Sequence, residues 1–220
     1  MRIGIIDYGS GNLRSVHNAV SQAASVACPS DEITRVTSAL DLKSCDRIIL
    51  PGVGHFADCY ANLSGIEGMI ETLHELVRVQ ARPFLGICVG MQLLADMGNE
   101  GGSAVSGLCW IPGNVIHLSE HISQKTLPIL KIPHMGWNHL NLHQPCHPVL
   151  AQMRAQMQVY FVHSYIFRLA QPSNILATTT YGVDVAAIIG HENIIGTQFH
   201  PEKSQQAGQS FLQEFLKWRP

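Results

Sequence analysis

The sharpest chemical feature of the chain is a cysteine held between two glycines, Gly86-Ile87-Cys88-Val89-Gly90. It closes a short apolar run, Phe84-Leu85-Gly86-Ile87, and has the G-x-nucleophile-x-G form of a strand-to-helix elbow, with Cys in the place of Ser. The glycines allow a turn tight enough to push the thiol out at the carboxyl edge of a sheet. There it would face the N-terminus of the next helix, whose partial positive charge favours thiolate. The same elbow makes the Val89 backbone N–H an oxyanion donor. Gly52-Val53-Gly54 closes a neighbouring strand and exposes backbone N–H groups at that edge, a source for a second donor. His200 is the candidate base. Pro201 sets the chain direction beyond Gly196-Thr197-Gln198-Phe199, and Glu202, two residues past the histidine, is placed to hold and orient the imidazole. Together these residues describe nucleophilic catalysis by an activated thiol.

The elements that must position them alternate. Ile3–Ile6 is a strand leading into the turn Gly9-Ser10-Gly11-Asn12, followed by a helix from about Leu13 to Ala24. Arg47–Leu50 is a buried-type strand, Ile66–Gln80 has helical apolar spacing, and Phe84–Ile87 is a third strand. Alternating helices and uncharged strands predict an α/β fold: an open, mostly parallel sheet flanked by helices. The C-terminal half is richer in β-structure, with strands at Val115–Leu118, Tyr160–Val162, Ile175–Thr180, Ala186–Ile189 and Ile194–Phe199, and a final helix from about Ser204 to Trp218. No repeat or linker interrupts residues 1–220, so one domain is expected.

Composition narrows the function classes. Among 220 residues, 46% are hydrophobic and only 14% charged, which excludes a disordered chain, and a net charge of −2 excludes a nucleic-acid binder held by bulk charge. No signal-peptide core fits near the N-terminus and no run is long enough to span a bilayer. The six cysteines are irregularly spaced, which fits reduced thiols in a cytoplasmic protein. His139, His143 and His147 recur at helical spacing beside Cys146, but Pro145 and Pro148 would break such a helix, so a loop without metal is expected. A redox or stress sensor built on Cys88 alone would have no use for the His200-Pro201-Glu202 run.

Taken in order and at these separations, Pro51-Gly52-Val53-Gly54, Gly86-Ile87-Cys88-Val89-Gly90-Met91-Gln92 and His200-Pro201-Glu202 resemble the class I glutamine amidotransferases. The resemblance implies that Cys88 attacks the side-chain amide of glutamine, His200 moves the protons and Glu202 orients His200. It also implies that Gly52, Val53 and Val89 bind the oxyanion, and that no cofactor is needed. Gln92 and Glu100 then stand at positions that hold the glutamine, with His163, Ser164 and Tyr165 contacting its α-carboxylate or α-amino group through the backbone.

A finer resemblance rests on Ile6-Asp7-Tyr8-Gly9-Ser10-Gly11-Asn12-Leu13-Arg14-Ser15-Val16, Pro133-His134-Met135-Gly136-Trp137-Asn138, Tyr160-Phe161-Val162-His163-Ser164-Tyr165 and His200-Pro201-Glu202-Lys203-Ser204. These are similar to the glutaminase subunits of imidazole glycerol phosphate synthase; Val89, where that family often has Leu, is a conservative departure. The resemblance implies histidine biosynthesis and a separate (β/α)8-barrel cyclase subunit that receives the ammonia. Asn12, Met135, Trp137, Asn138, Tyr160 and Lys203 would lie at that interface and ammonia gate. A glutaminase subunit of another amidotransferase complex is the alternative. An activation switch at Gly52-Val53, in which the loop turns before the site works, is a further expectation from its flanking glycines. The scarcity of charge agrees with a broad face kept for a partner.

Overall fold

Strands β1 (Arg2–Ile6), β2 (Glu32–Val36), β3 (Arg47–Gly52) and β4 (Phe84–Cys88) are parallel neighbours in the order β2-β1-β3-β4. The computed structural model describes residues 1–102, 104–122, 130–154 and 157–220. Beyond β4 the same sheet continues with Ile194–Thr197, also parallel, and then with the antiparallel strands Asp184–His191, Ile175–Thr180 and Asn141–Leu142. This is the expected open, mostly parallel α/β sheet. β3 and β4 are buried at every position, as a sheet covered on both faces requires.

Helix α1 (Leu13–Ala27) starts where Gly11, at φ +104, turns the chain and the Asn12 side chain accepts a hydrogen bond from Ser15 N. It buries Val16, Ala19, Val20, Ala23 and Ala24 on one stripe. The helix Gln205–Lys217 buries Phe211, Leu212, Phe215 and Leu216 in the same core. Its C-terminal end is secured from the sheet: Arg47 at the start of β3 is almost fully buried and donates to the carbonyls of Phe215 and Trp218. The guanidinium satisfies carbonyls that the helix leaves without partners, and its charge complements the helix dipole.

Several expectations shift. The apolar spacing of Ile66–Gln80 resolves into a short α-helix, Met69–His74, followed by a π-helical segment, Glu75–Val79. Gly68 at φ +69 delays the start, since that backbone lies outside the helical region. The strand expected at Ile194–Phe199 ends at Thr197, and Gln198–His200 leave the sheet as the chain turns toward the helix. Two small sheets were not foreseen in full: Gln158–His163 pairs with His134–His139, and Tyr165–Leu169 pairs with Gly113–His117. Among the described residues no helix is long and apolar enough to cross a membrane, and no group of three or more His, Cys, Asp or Glu is placed to hold a metal. His143 instead meets the Thr178 hydroxyl at 2.8 Å, and His147 accepts from Val149 N.

Candidate active site

Pairing register brings three chain segments together. Gly52 lies opposite Cys88, and Thr197 lies opposite Ile87. The loop Gly52-Val53-Gly54, the Cys88 elbow and His200 therefore leave adjacent parallel strands at their carboxyl ends, the usual site of ligand binding in open α/β sheets. A cavity of about 580 Å³ opens there, lined by Cys88, Val89, Gln92, Glu100, His200 and Lys203 among others.

Cys88 takes φ 55° and ψ −111°, a backbone that side-chain-bearing residues adopt only under strain of order 1–3 kcal/mol. The strain is held by close packing of glycines around the elbow. A Cβ at Gly86 would meet the Gly90 carbonyl, one at Gly52 would lie 2.7 Å from Gly90 N, and one at Gly90 would overlap the Leu50 carbonyl.

His200 is fixed from both sides. Its N–H donates to Tyr160 O, while its carbonyl accepts from the Ser204 hydroxyl at 2.6 Å, and that hydroxyl also receives Tyr160 N at 3.0 Å. The short 3-10 turn Pro201–Lys203 then swings Glu202 back, so that its Oε1 lies 2.8 Å from His200 Nδ1. Both side chains are 2% exposed. Burial opposes charge on the imidazole, but hydrogen bonds to Cys88 and Glu202 and their negative charge outweigh it, and His200 is pushed up to about 10. The imidazolium is therefore the resting form at neutral pH, with Nδ1 held by Glu202 and the ring in reach of the sulfur.

The loop at Val53 is tied down. Val53 N donates to Ser10 Oγ at 3.2 Å, and the same hydroxyl donates to Val53 O at 2.6 Å. The Cys59 thiol lies 3.4 Å from Val53 O and 3.1 Å from Ser10 Oγ, and Tyr8 donates to Pro51 O at 2.8 Å. Burial raises both the Tyr8 hydroxyl and the Cys59 thiol above their ordinary ranges, so both remain protonated donors. The Val53 N–H is thus engaged by Ser10. Neither Ser10 nor Cys59 was singled out as a site residue from sequence, because a turn serine and an isolated cysteine carry no signal without their partners.

Other candidates are placed as follows. Gln92 is buried and lines the cavity, its Nε2 donating to Tyr165 O and to Gln198 Oε1, both at 3.0 Å. Glu100 also lines the cavity, with Oε2 accepting from Phe56 N at 2.6 Å and Oε1 3.4 Å from His55 Nδ1. His163, Ser164 and Tyr165 border the cavity, but both ring nitrogens of His163 are occupied within the protein, by Tyr165 O and by His134, each at 3.0 Å. Asn12 and Lys203 reach the cavity as well, whereas Met135 and Trp137 do not line it and are 62% and 44% exposed. Trp137 meets Tyr160 edge-on at 5.9 Å, and Lys203 Nζ lies 5.8 Å from the Tyr160 ring centre. A continuous line of side chains therefore runs from Trp137, on the strand His134–His139, to the cavity wall.

His134 is sandwiched between the Phe161 and Tyr181 rings, at 4.8 and 4.0 Å. Burial lowers His134 to about 4 and His163 to about 3. An unfolded chain would protonate both as pH falls below about 6.5, whereas the folded chain would not, so stability must drop with falling pH. Between pH 6.5 and 5 the melting temperature should fall steadily, by the equivalent of roughly 3 kcal/mol for the pair. A flat melting profile over that interval would contradict neutral burial of the pair.

Residues 4–218 match the family described as glutamine amidotransferase class-I. The chain is 52% identical over 220 residues to the imidazole glycerol phosphate synthase subunit HisH of Rhodospirillum rubrum, with both chains fully covered. It is 46% identical over 223 residues to the HisH subunit of Brucella melitensis biotype 1, again over the whole of both. Among solved structures, a glutamine amidotransferase superposes with a TM-score of 0.69 at 16% identity, covering 97% of this chain and 98% of that one. Another, from Thermotoga maritima, superposes with a TM-score of 0.64 at 13% identity, covering 99% and 96%. Those two share the fold; the full-length identity to the HisH subunits goes further. The chain belongs to the class-I glutamine amidotransferases and, within them, to the HisH subunits of imidazole glycerol phosphate synthase.

Proposed function

We propose that this chain, acting as one amidotransferase unit over residues 1–220, hydrolyses glutamine at Cys88 and passes the ammonia to a (β/α)8-barrel cyclase subunit in histidine biosynthesis. The observation that carries the reading is the strained Cys88 elbow beside the buried His200–Glu202 pair, 2.8 Å apart, at adjoining strand ends. The Cys88 sulfur, giving its proton to the His200–Glu202 pair, attacks the carboxamide carbon of glutamine. The carbonyl electron pair moves to oxygen, which Val89 N–H meets at the helix start. His200 protonates the departing nitrogen, ammonia leaves, and a glutamyl thioester remains. His200 then takes a proton from water as that water attacks the thioester carbon, and glutamate departs with the thiol restored. Glu202 keeps the imidazole oriented and stabilises its charge throughout.

Substrate contacts follow from the cavity wall. Gln92, Glu100 and the segment 163–165 are proposed to hold the glutamine, with the Glu100 carboxylate facing its α-ammonium group and backbone rather than the His163 ring meeting its other end. The interface is proposed at Asn12, Met135, Trp137, Asn138, Tyr160 and Lys203. Two large apolar side chains, Met135 and Trp137, stand exposed on one strand there, and Trp137 begins the line through Tyr160 and Lys203 to the cavity. All six cysteines are free, which supports work in the cytoplasm.

The second oxyanion donor is proposed to come from the Gly52–Val53 peptide once its N–H is released from Ser10. Ser10→Ala should therefore raise glutamine hydrolysis by the isolated chain about threefold to tenfold and shrink the further stimulation on adding the cyclase and its ligand. Steady-state glutamate release with and without the partner measures both. Unchanged basal turnover would mean that Ser10 does not hold the site back. The broader test is co-purification with the cyclase, with glutamine and ammonium salt compared as nitrogen sources. Synthesis from ammonium but none from glutamine would sink the proposed reaction.

A further inference from the structure

We propose that Gln198 is a catalytic residue of this site, its amide N–H holding the Cys88 sulfur, with its aim set by a hydrogen-bond chain pinned on the Tyr165 carbonyl. The proposal rests on the glutaminase reading for its catalytic meaning and on geometry for the contact itself. Gln198 is fully buried, and its Nε2 lies 3.8 Å from Cys88 Sγ. It leaves the sheet between Thr197, paired with β4, and His200, so its backbone is held by the same elements that hold the base.

The orientation of the amide follows from chemistry alone. The Tyr165 carbonyl can only accept. It receives Gln92 Nε2 at 3.0 Å, so Gln92 presents its amino group to that side, and the second hydrogen of that group reaches Gln198 Oε1 at 3.0 Å. With its oxygen so occupied, Gln198 must turn its own N–H toward the sulfur. A donor there favours thiolate, and it does so in a buried setting where little water competes.

The second lone pair of the same carbonyl is held from the other side. His163 Nδ1–H donates to Tyr165 O at 3.0 Å, which leaves His163 Nε2 to accept from His134 Nδ1–H at 3.0 Å. His134 Nε2 must then accept, and Asn138 Nδ2 supplies the donor at 3.3 Å. Both imidazoles are buried and neutral, and each has one tautomer consistent with this order. Asn138 stands on the strand that carries the exposed Met135 and Trp137, so the chain joins that face to the nucleophile. His134 and His163 are positioning residues: they keep the Tyr165 carbonyl where Gln92 can read it.

The experiment measures alkylation of Cys88 by iodoacetamide across pH in the whole chain, followed at that cysteine by mass spectrometry, with exposed Cys146 as internal control. Other titratable groups bearing on the sulfur are His200, backed by Glu202, and the protonated Tyr8 and Cys59; all are retained in the variants. Gln198→Leu should move the Cys88 profile toward higher pH by about one unit, a tenfold change in the proton equilibrium. His163→Leu should move it the same way by less, and the Cys146 profile should stay in place. Gln198→Met, which keeps length without a donor, gives the same reading should the leucine variant fold poorly. A Cys88 profile identical to the parent in folded Gln198→Leu or Gln198→Met overturns the proposal. A shifted profile in a chain that never hydrolyses glutamine would retain the sulfur contact and overturn the glutaminase reading instead.

Discussion

Replacing Cys88 with alanine will remove glutamine hydrolysis by at least ~10⁴-fold while leaving ammonium-dependent synthesis by the complex within about twofold of the parent. The size follows from what the sulfur does. Among the described residues no other cysteine borders the cavity, and neither His200 nor Glu202 can form the glutamyl thioester. Loss of the nucleophile therefore removes the covalent route outright, and what remains is the binding of glutamine beside a charged imidazole. The elbow itself should survive, since alanine fits the space of cysteine. The paired assay is decisive: glutamate release and product formation, each from both nitrogen sources. Persisting glutamine-dependent turnover would show that Cys88 is not the nucleophile.

Gly90→Ala should be among the most damaging single methyl additions in the molecule. A Cβ at this position would overlap the Leu50 carbonyl oxygen at the end of β3, and that backbone has no flexible tip to swing aside. Either β3 or the helix start must shift, and each carries part of the site. A loss above about 4 kcal/mol, or failure to fold, is expected, a class of effect reserved for named core conflicts. Gly9→Ala is the control: Gly9 has φ +81 and nothing within 4 Å of an added Cβ, so only backbone strain of about 1 kcal/mol applies. Denaturant unfolding of the two variants measures the difference; equal stabilities would refute the packing account of the elbow.

The parts of this site that were legible in sequence are those fixed by local backbone demands. The two glycines around Cys88, the Gly52–Gly54 loop and His200-Pro201-Glu202 each have a chemical reason visible within a few residues. So did the parallel sheet, because Ile48, Ile49 and Leu50 of β3 and Phe84–Cys88 of β4 are uncharged, buried runs. The strand Glu32–Val36 escaped notice because it lies at the sheet edge, with mixed exposure and no apolar alternation. His134–His139 escaped because Gly136, Asn138 and two histidines conceal its two-residue periodicity. Partners distant in the chain were out of reach altogether. Ser10 meets Val53 across 43 positions, and Gln92 meets Gln198 across 106. His163 illustrates the same limit: its motif carries no sign that its ring nitrogens are taken up by His134 and Tyr165, 29 and 2 positions away.

The buried Arg47 carries a consequence for how the chain is made. Its guanidinium rests on carbonyls 168 and 171 positions later. During synthesis the first four strands emerge long before those carbonyls exist, and a desolvated guanidinium without them would be costly. The nascent N-terminal half must therefore keep Arg47 in water, with the face of β3 that it serves left open. Closure of the core becomes a late event, triggered by arrival of the helix Gln205–Lys217, the segment that immediately follows His200 and Glu202. A ribosome-bound intermediate would have its nucleophile before its base, and a thiol without its imidazole is a safer thing to expose.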